Sequence, residues 1–254
     1  MPLLATLIIL LTTLLTSFIS GIFGMAGGLI LMGVLIALPT VSVAMAMILH
    51  GSIQLVANGY RAVLLHRHID WRVFQIYGLG AILGVGLLLA LRLITDWVPE
   101  KPLIYLFLGL TPLLIWLPKA RLHLDIRRPG HAFGAGALVQ GLNTLAGVAG
   151  PLLDLFFIRT AMTRQQVVAT KSVTQALSHF VKIGFWSVPA ILAACGEDIP
   201  PLWLIAAAIP VSMVGTRLGR SVLERMSDTN FRGWMKGLVT AIGGVLLLRA
   251  AGLF

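Results

Sequence analysis

Two series of polar side chains recur at helical spacing within otherwise apolar sequence. The first series is His50, Gln54, Asn58 and Arg61, and the second series is Lys171, Gln175, His179 and Lys182. In both series the spacings are four, four and three residues, which places the side chains on one face of a helix. Polar side chains inside a bilayer are costly, so they face a cavity or a partner. Because both series are rich in hydrogen-bond donors, they predict a binding site for an anion.

The depth of each cation in its apolar segment bears on its role. Arg61 is followed by Arg67 and a loop, so it can snorkel to the cytoplasm as well as bind an anion. Lys182 lies about ten residues from the nearer end of its predicted span, which is too deep for easy snorkelling. We therefore expect Lys182 to contact the substrate. For the amides and histidines of the two series, hydrogen bonding between helices is the alternative role.

Glycines interrupt two apolar segments beside these series. They are Gly24, Gly27 and Gly28 in the first segment, and Gly141, Gly147 and Gly150 in the second. A break inside a membrane leaves free backbone N–H groups and helix amino ends, which attract anions. We expect a contribution to substrate binding from Gly24, Gly27, Gly28, Gly147 and Gly150. Close helix packing through small residues would explain the same glycines.

Asp154 is the acidic residue that falls within a predicted apolar segment. It is a candidate for proton coupling, or it neutralises Lys171 or Lys182, or it pairs with Arg159 near the membrane interface. The sequence leaves these alternatives open. Cys195 is the single cysteine, so a disulfide framework and a cysteine-built metal site are excluded. We expect neither a metal nor a cofactor.

The composition places these residues in a membrane. Hydrophobic residues make up 58% of the 254 positions, charged residues 11%, and the mean hydropathy is +0.95. A soluble domain carries about a quarter charged residues. Residues 2–49 contain no Asp, Glu, Lys or Arg, and a transmembrane helix needs roughly 20 such positions. The net charge of +10 lies in short loops, which is typical of membrane orientation and not of nucleic-acid binding. The sequence predicts a multi-pass protein of the cell membrane.

Loop charges predict the topology and one re-entrant segment. Basic residues concentrate at 61–72, 119–128 and 217–236, which we assign to the cytoplasm, whereas 193–201 carries acids and no basic residue. An odd number of crossings must separate 119–128 from 193–201, yet two apolar segments, 131–158 and 166–192, lie between them. We therefore interpret 131–158 as a broken hairpin that enters and leaves on the cytoplasmic side, which is tolerated where protein or a cavity satisfies its backbone.

The two halves of the chain resemble each other. Residues 24–30, GMAGGLI, match residues 147–153, GVAGPLL, and the two polar series align after them. Gly84 and Leu88 correspond loosely to Gly215 and Gly219. The charges orient 43–65 inward and 166–192 outward. This predicts an all-α membrane helix bundle of two inverted-topology repeats, 1–128 and 129–254, each a glycine-broken re-entrant hairpin plus three spanning helices.

At these residues the chain resembles the TauE/SafE family of sulfite exporters, also called the toluene sulfonate uptake permease family. The resemblance rests on GIFGMAGG at 21–28, on its second copy, and on VATKS at 168–172, and it covers essentially the whole chain. Two departures are Pro151, where a third glycine is common, and the late position of Pro39 in the first copy. The resemblance implies transport of sulfite, a sulfonate or a related organosulfur anion.

The sequence therefore predicts a secondary transporter, with export favoured, that binds a small sulfur-containing anion between the repeats near the membrane midplane. Its partners are that anion and the lipid bilayer, without nucleic acid. The alternative is an intramembrane enzyme such as a protease. Against it, the chain carries no Gly-x-Ser-x-Gly, no paired aspartates and no His-Glu-x-x-His pattern. A cation channel or carrier conflicts with an apolar core that holds lysines and histidines but one acid.

Overall fold

The computed structural model describes residues 2–23, 26–95, 97–117, 123–157, 160–192, 198–223, 225 and 228–253. Within them the chain forms ten α-helices and no strand. The helices are α1 (Leu3–Phe23), α2 (Ala26–Ala37), α3 (Val43–Leu64), α4 (Trp71–Thr95), α5 (Lys101–Leu110), α6 (Pro129–Ala146), α7 (Gly150–Phe156), α8 (Arg164–Leu192), α9 (Leu202–Leu223) and α10 (Asp228–Ala250). Gly24 and Arg159, named in the predictions above, lie outside the described residues, as do 193–197 of the predicted outer loop.

The helix lengths and the surface fit a membrane protein. Three described stretches are long and apolar enough to cross a membrane by length and composition, namely Leu3–Ile22, Trp71–Thr95 and Leu202–Gly219. Large apolar side chains are exposed along α4, including Ile82 and Leu87. Four of the exposed tryptophans, Trp71, Trp97, Trp116 and Trp203, lie near helix ends, where their amphipathic rings suit the membrane–water interface. The predicted all-helical membrane protein is confirmed.

Local chemistry explains where α3 begins and where α6 breaks. The hydroxyl of Ser42 accepts a hydrogen bond of 3.1 Å from the Met45 amide and so caps α3. Helix α6 ends at Gly147, whose φ of +86° lies in the left-handed region that glycine adopts without steric cost. Helix α7 then starts with Gly150 and Pro151, and proline is compatible with a first helical turn.

Both broken segments fold back on themselves. The amide of Ile126, just before α6, donates a 2.8 Å hydrogen bond to the carbonyl of Phe156 at the end of α7. The chain therefore enters and leaves the α6–α7 hairpin at the same end. In the first half, a Cβ atom at Gly27 would collide with the carbonyl of Thr16 and the hydroxyl of Ser20. Helix α2 thus returns closely along α1.

Helix α6 packs on α4 through backbone-to-backbone contact. Cβ atoms at Gly80 and Gly84 would overlap the carbonyls of Phe133 and Ala137, and a Cβ at Gly136 would overlap a carbonyl of α4. Without side chains at these positions the two helix backbones come together directly, as in glycine-rich membrane interfaces. The α4–α6 pair joins the two halves of the chain.

Helix α1 packs on α9 in the corresponding way. Cβ atoms at Gly215 and Gly219 would overlap the carbonyls of Leu14 and Phe18. In each half the helix before the break thus contacts a glycine pair from the other half. By this role, Gly80 and Gly84 correspond to Gly215 and Gly219. The loose sequence correspondence matches Gly84 and Leu88 to them, which is one helical turn later in α4. Helices α3 and α8, which carry the polar series, pack along each other.

Candidate anion-binding site

A cavity lies between α3 and α8, beside the tips of both hairpins, and we name it the central cavity. Including the space at its open side it measures about 640 Å³. Predicted site residues that line it are Gly28, His50, Gln54, Asn58, Arg61, Gly150, Gln175 and His179. The structure thus brings the first polar series, Gln175 and His179 of the second, and one glycine from each hairpin to one place.

A chain of hydrogen bonds runs from one hairpin tip to the other through Lys182 and His50. Lys182 Nζ lies 2.9 Å from the Gly147 carbonyl oxygen and 2.8 Å from His50 Nδ1. His50 Nε2 lies 3.1 Å from the Gly28 carbonyl oxygen. Because a carbonyl can only accept, Nε2 of His50 is the donor and Nδ1 accepts from Lys182. Lys182 therefore holds His50 in one tautomer and one orientation.

Lys182 lies behind His50 and does not line the central cavity. Its side chain is 0% exposed. Among the described residues the one ion pair joins Lys171 to Asp154, so no described carboxylate neutralises Lys182. A buried charge costs several kcal/mol unless it is compensated. Among the described residues, the amine of Lys182 contacts only the Gly147 carbonyl and His50 Nδ1.

His179 presents an unsatisfied polar atom at the cavity. Its ring meets the ring of His50 edge to face, with centroids 5.6 Å apart. Its Nδ1 atom is buried and has no hydrogen-bond partner among the described residues, and the same holds for Oγ of Ser20, which also lines the cavity. Buried polar atoms are rarely left unpaired in proteins. These two groups therefore have hydrogen-bonding capacity that no described residue uses.

Three further donor groups of the cavity are also uncommitted. The guanidinium of Arg61 and the side-chain amides of Gln54 and Gln175 line the cavity, and they make no hydrogen bond to any described residue. Arg61 is half-buried, and guanidinium groups bind oxyanions with two parallel hydrogen bonds. The cavity thus combines one free cation with several free donors, and among its described lining residues there is no carboxylate.

A brace of polar side chains fixes α8 against α6 and α4, and the sequence analysis did not single it out. The Asn143 amide donates to the Ser178 carbonyl at 3.1 Å, and the Tyr77 hydroxyl lies 2.8 Å from Ser178 Oγ. Gln140 adds a longer contact to the same carbonyl at 3.4 Å. Gln140 and Asn143 lie three residues apart in an apolar segment, the same kind of signal that identified the two series.

Hydroxyl groups from α1 and α9 form another wall that sequence analysis missed. Ser17 donates a 3.0 Å hydrogen bond to Ser212, which joins the two helices. Ser17, Ser20, Ser212 and Thr216 all line the cavity. Serine and threonine in an apolar helix commonly bond to their own backbone, so their types alone do not indicate a site.

Some predicted site residues lie elsewhere. Lys171 pairs with Asp154, with 25% and 28% of the two side chains exposed, and neither residue lines the cavity. The pairing with Lys171 is one of the sequence alternatives for Asp154; Arg159, another, lies outside the described residues. Gly27 is required for packing against α1, and Gly147 contributes its carbonyl to Lys182 and not to the cavity. No cluster of described His, Cys, Asp and Glu residues could hold a metal ion.

Comparison with known proteins identifies the family. The family model described as Sulfite exporter TauE/SafE matches residues 9–246, nearly the whole chain. Comparisons with curated protein sequences and with solved structures gave no match. The match spans both hairpins, both polar series and the central cavity. The chain therefore belongs to the TauE/SafE sulfite exporter family.

Proposed function

We propose that the protein is a secondary transporter that exports a small sulfur-containing anion, such as sulfite or an organosulfonate, and binds it in the central cavity. The observation that carries this proposal is the set of unpaired donors described above. Arg61 and His179 face one space without a described carboxylate. Family membership favours transport over an intramembrane enzyme such as a protease, since the family is one of anion exporters.

In the proposed complex, Arg61 binds two oxygens of the anion, and His179, Gln54 and Gln175 donate to the remaining ones. Gly28, in the first turn of α2, lines the same space, so the amino end of this helix would add a favourable partial positive charge. The amine of Lys182 acts through His50, which it orients. This assignment makes Arg61 the principal contact and gives Lys182 the supporting role.

We also propose that residues 1–128 and 129–254 are inverted repeats that move against each other around the site. Three observations support this arrangement. A hydrogen bond between Ile126 and Phe156 closes the second hairpin at one end. The α4–α6 and α1–α9 pairs each join a helix of one half to a helix of the other. Both hairpins contribute a glycine to the cavity. A site at a repeat interface with broken helices is typical of secondary transporters.

Export is the direction that the membrane potential favours. With the cell interior negative, each 100 mV contributes about 2.3 kcal/mol per elementary charge that moves across the membrane. An anion is therefore driven outward without any coupled ion. We place the protein in the cell membrane, with residues 123–128 and 160–164 in the cytoplasm and 198–201 outside, as the loop charges indicate.

Thermal stability of the purified protein tests the binding step. Sulfite, sulfoacetate and taurine are added separately, and we expect at least one sulfur anion to raise the unfolding temperature, because a ligand that binds only the folded state stabilises it. Arg61→Gln should weaken that ligand about tenfold or more, as expected for the loss of a charge-assisted hydrogen bond. Arg67→Gln, on the exposed turn at His66–His68, is the matched control and should bind normally.

The transport step is tested in proteoliposomes by counterflow of the anion that stabilises the protein. An imposed potential, negative inside, should accelerate efflux. If none of the sulfur anions stabilises the protein and none undergoes counterflow, the proposed function is wrong.

A further inference from the structure

A second pocket lies beyond the tip of α6, on the side away from the central cavity. Residues that line it include Leu88, Arg92, Trp97, Thr144, Phe185 and Trp186. We name it the Arg92 pocket, because Arg92 is the charged residue among its described lining. It joins the end of α4, the end of α6 and the second half of α8.

Arg92 is held in this pocket by aromatic faces, and among the described residues no acid pairs with it. Its guanidinium carbon lies 5.4 Å from the centre of the Phe185 ring and 5.7 Å from that of Trp186. One hydrogen bond, at the long distance of 3.5 Å, reaches the Phe185 carbonyl. A cation over a ring keeps its in-plane donors available. In the described part of the chain Arg92 has no carboxylate partner, so most of its five N–H donors are free.

One short segment of chain separates the two cavities. Asn143 lines the central cavity, whereas Thr144 and Leu145 line the Arg92 pocket. Two side chains one turn apart on α8 hold this segment in place. Trp186 Nε1 donates to the Thr144 carbonyl at 2.9 Å, and Lys182 Nζ donates to the Gly147 carbonyl at the same distance.

The two cavities therefore lie in sequence along α8, with a thin barrier between them. Moving from the start of α8 toward its end, Gln175 and His179 face the central cavity, Lys182 holds the barrier, and Phe185 and Trp186 face the Arg92 pocket. Each space carries one arginine without a described acidic partner, namely Arg61 and Arg92.

We propose that the Arg92 pocket is a second anion-binding site, on the outer side of the transport path, and that it binds the same class of small oxyanion as the central cavity. The proposal rests on the proposed function. The outer position follows from the loop charges, because α4 begins after the basic segment 61–72 and ends at 95. An oxyanion here would be bound by the in-plane donors of Arg92.

Protection of an engineered cysteine tests this site directly. Val98 lines the pocket and is 41% exposed, so Val98→Cys is made together with Cys195→Ser. The full chain is placed in nanodiscs of zwitterionic lipid and labelled with a quaternary-ammonium thiosulfonate reagent. Methanesulfonate is the added anion, because sulfite itself attacks thiol reagents, and chloride at equal ionic strength is the control.

We expect methanesulfonate, and not chloride, to slow labelling of the cysteine at position 98. At a concentration ten times its dissociation constant the rate should fall about tenfold, because the free fraction falls by that factor. Arg92→Gln should abolish the protection. Arg249→Gln is the matched control, since Arg249 also lies in the last turn of its helix, over the Tyr105 ring at 5.6 Å, but outside the pocket. It should leave the protection unchanged.

Transport provides a second measurement. In oriented proteoliposomes, Arg92→Gln should raise the half-saturating methanesulfonate concentration on the outer side about tenfold, and Arg249→Gln should not. Should Arg92→Gln fail to fold, the dose dependence of protection in the protein that keeps Arg92 still decides the matter. Saturable protection by methanesulfonate supports the site, and equal effects of methanesulfonate and chloride overturn it.

Three results would overturn the proposal. The first is protection that persists in Arg92→Gln. The second is protection that depends on added phosphatidylglycerol and not on methanesulfonate, which would make the pocket a lipid headgroup site. The third is an unprotected cysteine in a protein that methanesulfonate stabilises through Arg61, in which case the proposed function stands and the outer site fails. If methanesulfonate and the other sulfur anions neither stabilise the protein nor are transported across the membrane, the proposed function itself fails.

Discussion

Nζ of Lys182 and Nδ1 of His50 form a 2.8 Å hydrogen bond between residues 132 positions apart in the sequence. The two residues come from different polar series and different halves of the chain. Through their other partners, Gly147 and Gly28, they connect the tips of both hairpins. A displacement of either tip therefore changes the surroundings of His50 at the wall of the central cavity.

The first prediction is that Lys182 and His50 act as one unit. Lys182→Gln and His50→Gln should each lower affinity for the transported anion by about tenfold or more, and the double variant should lose little beyond either single one. Residues in one hydrogen-bond network are non-additive in this way. The measurement is a double-mutant cycle of ligand-dependent thermal stabilisation. Fully additive losses would show that the two side chains contribute separately, and unchanged affinity in Lys182→Gln would make the lysine structural.

The second prediction concerns the glycine contacts between the halves. Gly84→Ala and Gly219→Ala place a methyl group against a backbone carbonyl, of Ala137 and Phe18 respectively. Overpacking costs about 1–3 kcal/mol, so each variant should unfold about 3 to 10 °C lower. Gly86→Ala is the control, since its Cβ would meet no described atom within 4 Å. If all three variants melt alike, close approach at these glycines is not what holds the helices together.

The third prediction is the topology. In a Cys195→Ser background, an impermeant thiol reagent applied from outside should label Asp198→Cys and leave Asp125→Cys and Met162→Cys unlabelled. The hydrogen bond between Ile126 and Phe156 places the two ends of the α6–α7 hairpin together, and the loop charges place them inside. Permeabilised membranes give the control, in which every position should react. Labelling of Met162→Cys from outside would rule out the re-entrant hairpin.

The fourth prediction concerns Asp154, a candidate for proton coupling. Because its carboxylate pairs with Lys171 outside the central cavity, Asp154→Asn should retain anion binding and keep efflux dependent on the membrane potential. The pair is partly exposed, so its loss should cost no more than about 1 kcal/mol of stability. Efflux is measured at several pH values with and without an imposed potential. An Asp154→Asn variant that loses a pH dependence present in the parent would identify Asp154 as the proton-coupling group.

Much of the site could be predicted because helical periodicity is a local property. His50, Gln54, Asn58 and Arg61 share one face of α3 through their spacing alone, and a polar face in an apolar helix must meet a cavity or a partner. The break at Gly147 was likewise readable, since a glycine there adopts the left-handed backbone that ends α6. Side-chain spacing and the backbone freedom of glycine follow directly from the residue types and their positions in the sequence.

Which groups meet inside the bundle depended on how α3 crosses α8. A Cβ at Gly51 would lie 2.8 Å from Ile183 and 3.2 Å from Lys182 Cε, so this glycine allows the close approach that brings Lys182 onto His50. That approach puts Lys182 behind the cavity wall and leaves Arg61 as the free cation. Lys171 has the same spacing in its series as His50, yet it pairs with Asp154 away from the cavity. Helix register and crossing are set by contacts between distant residues, and periodicity along one helix carries no information about them.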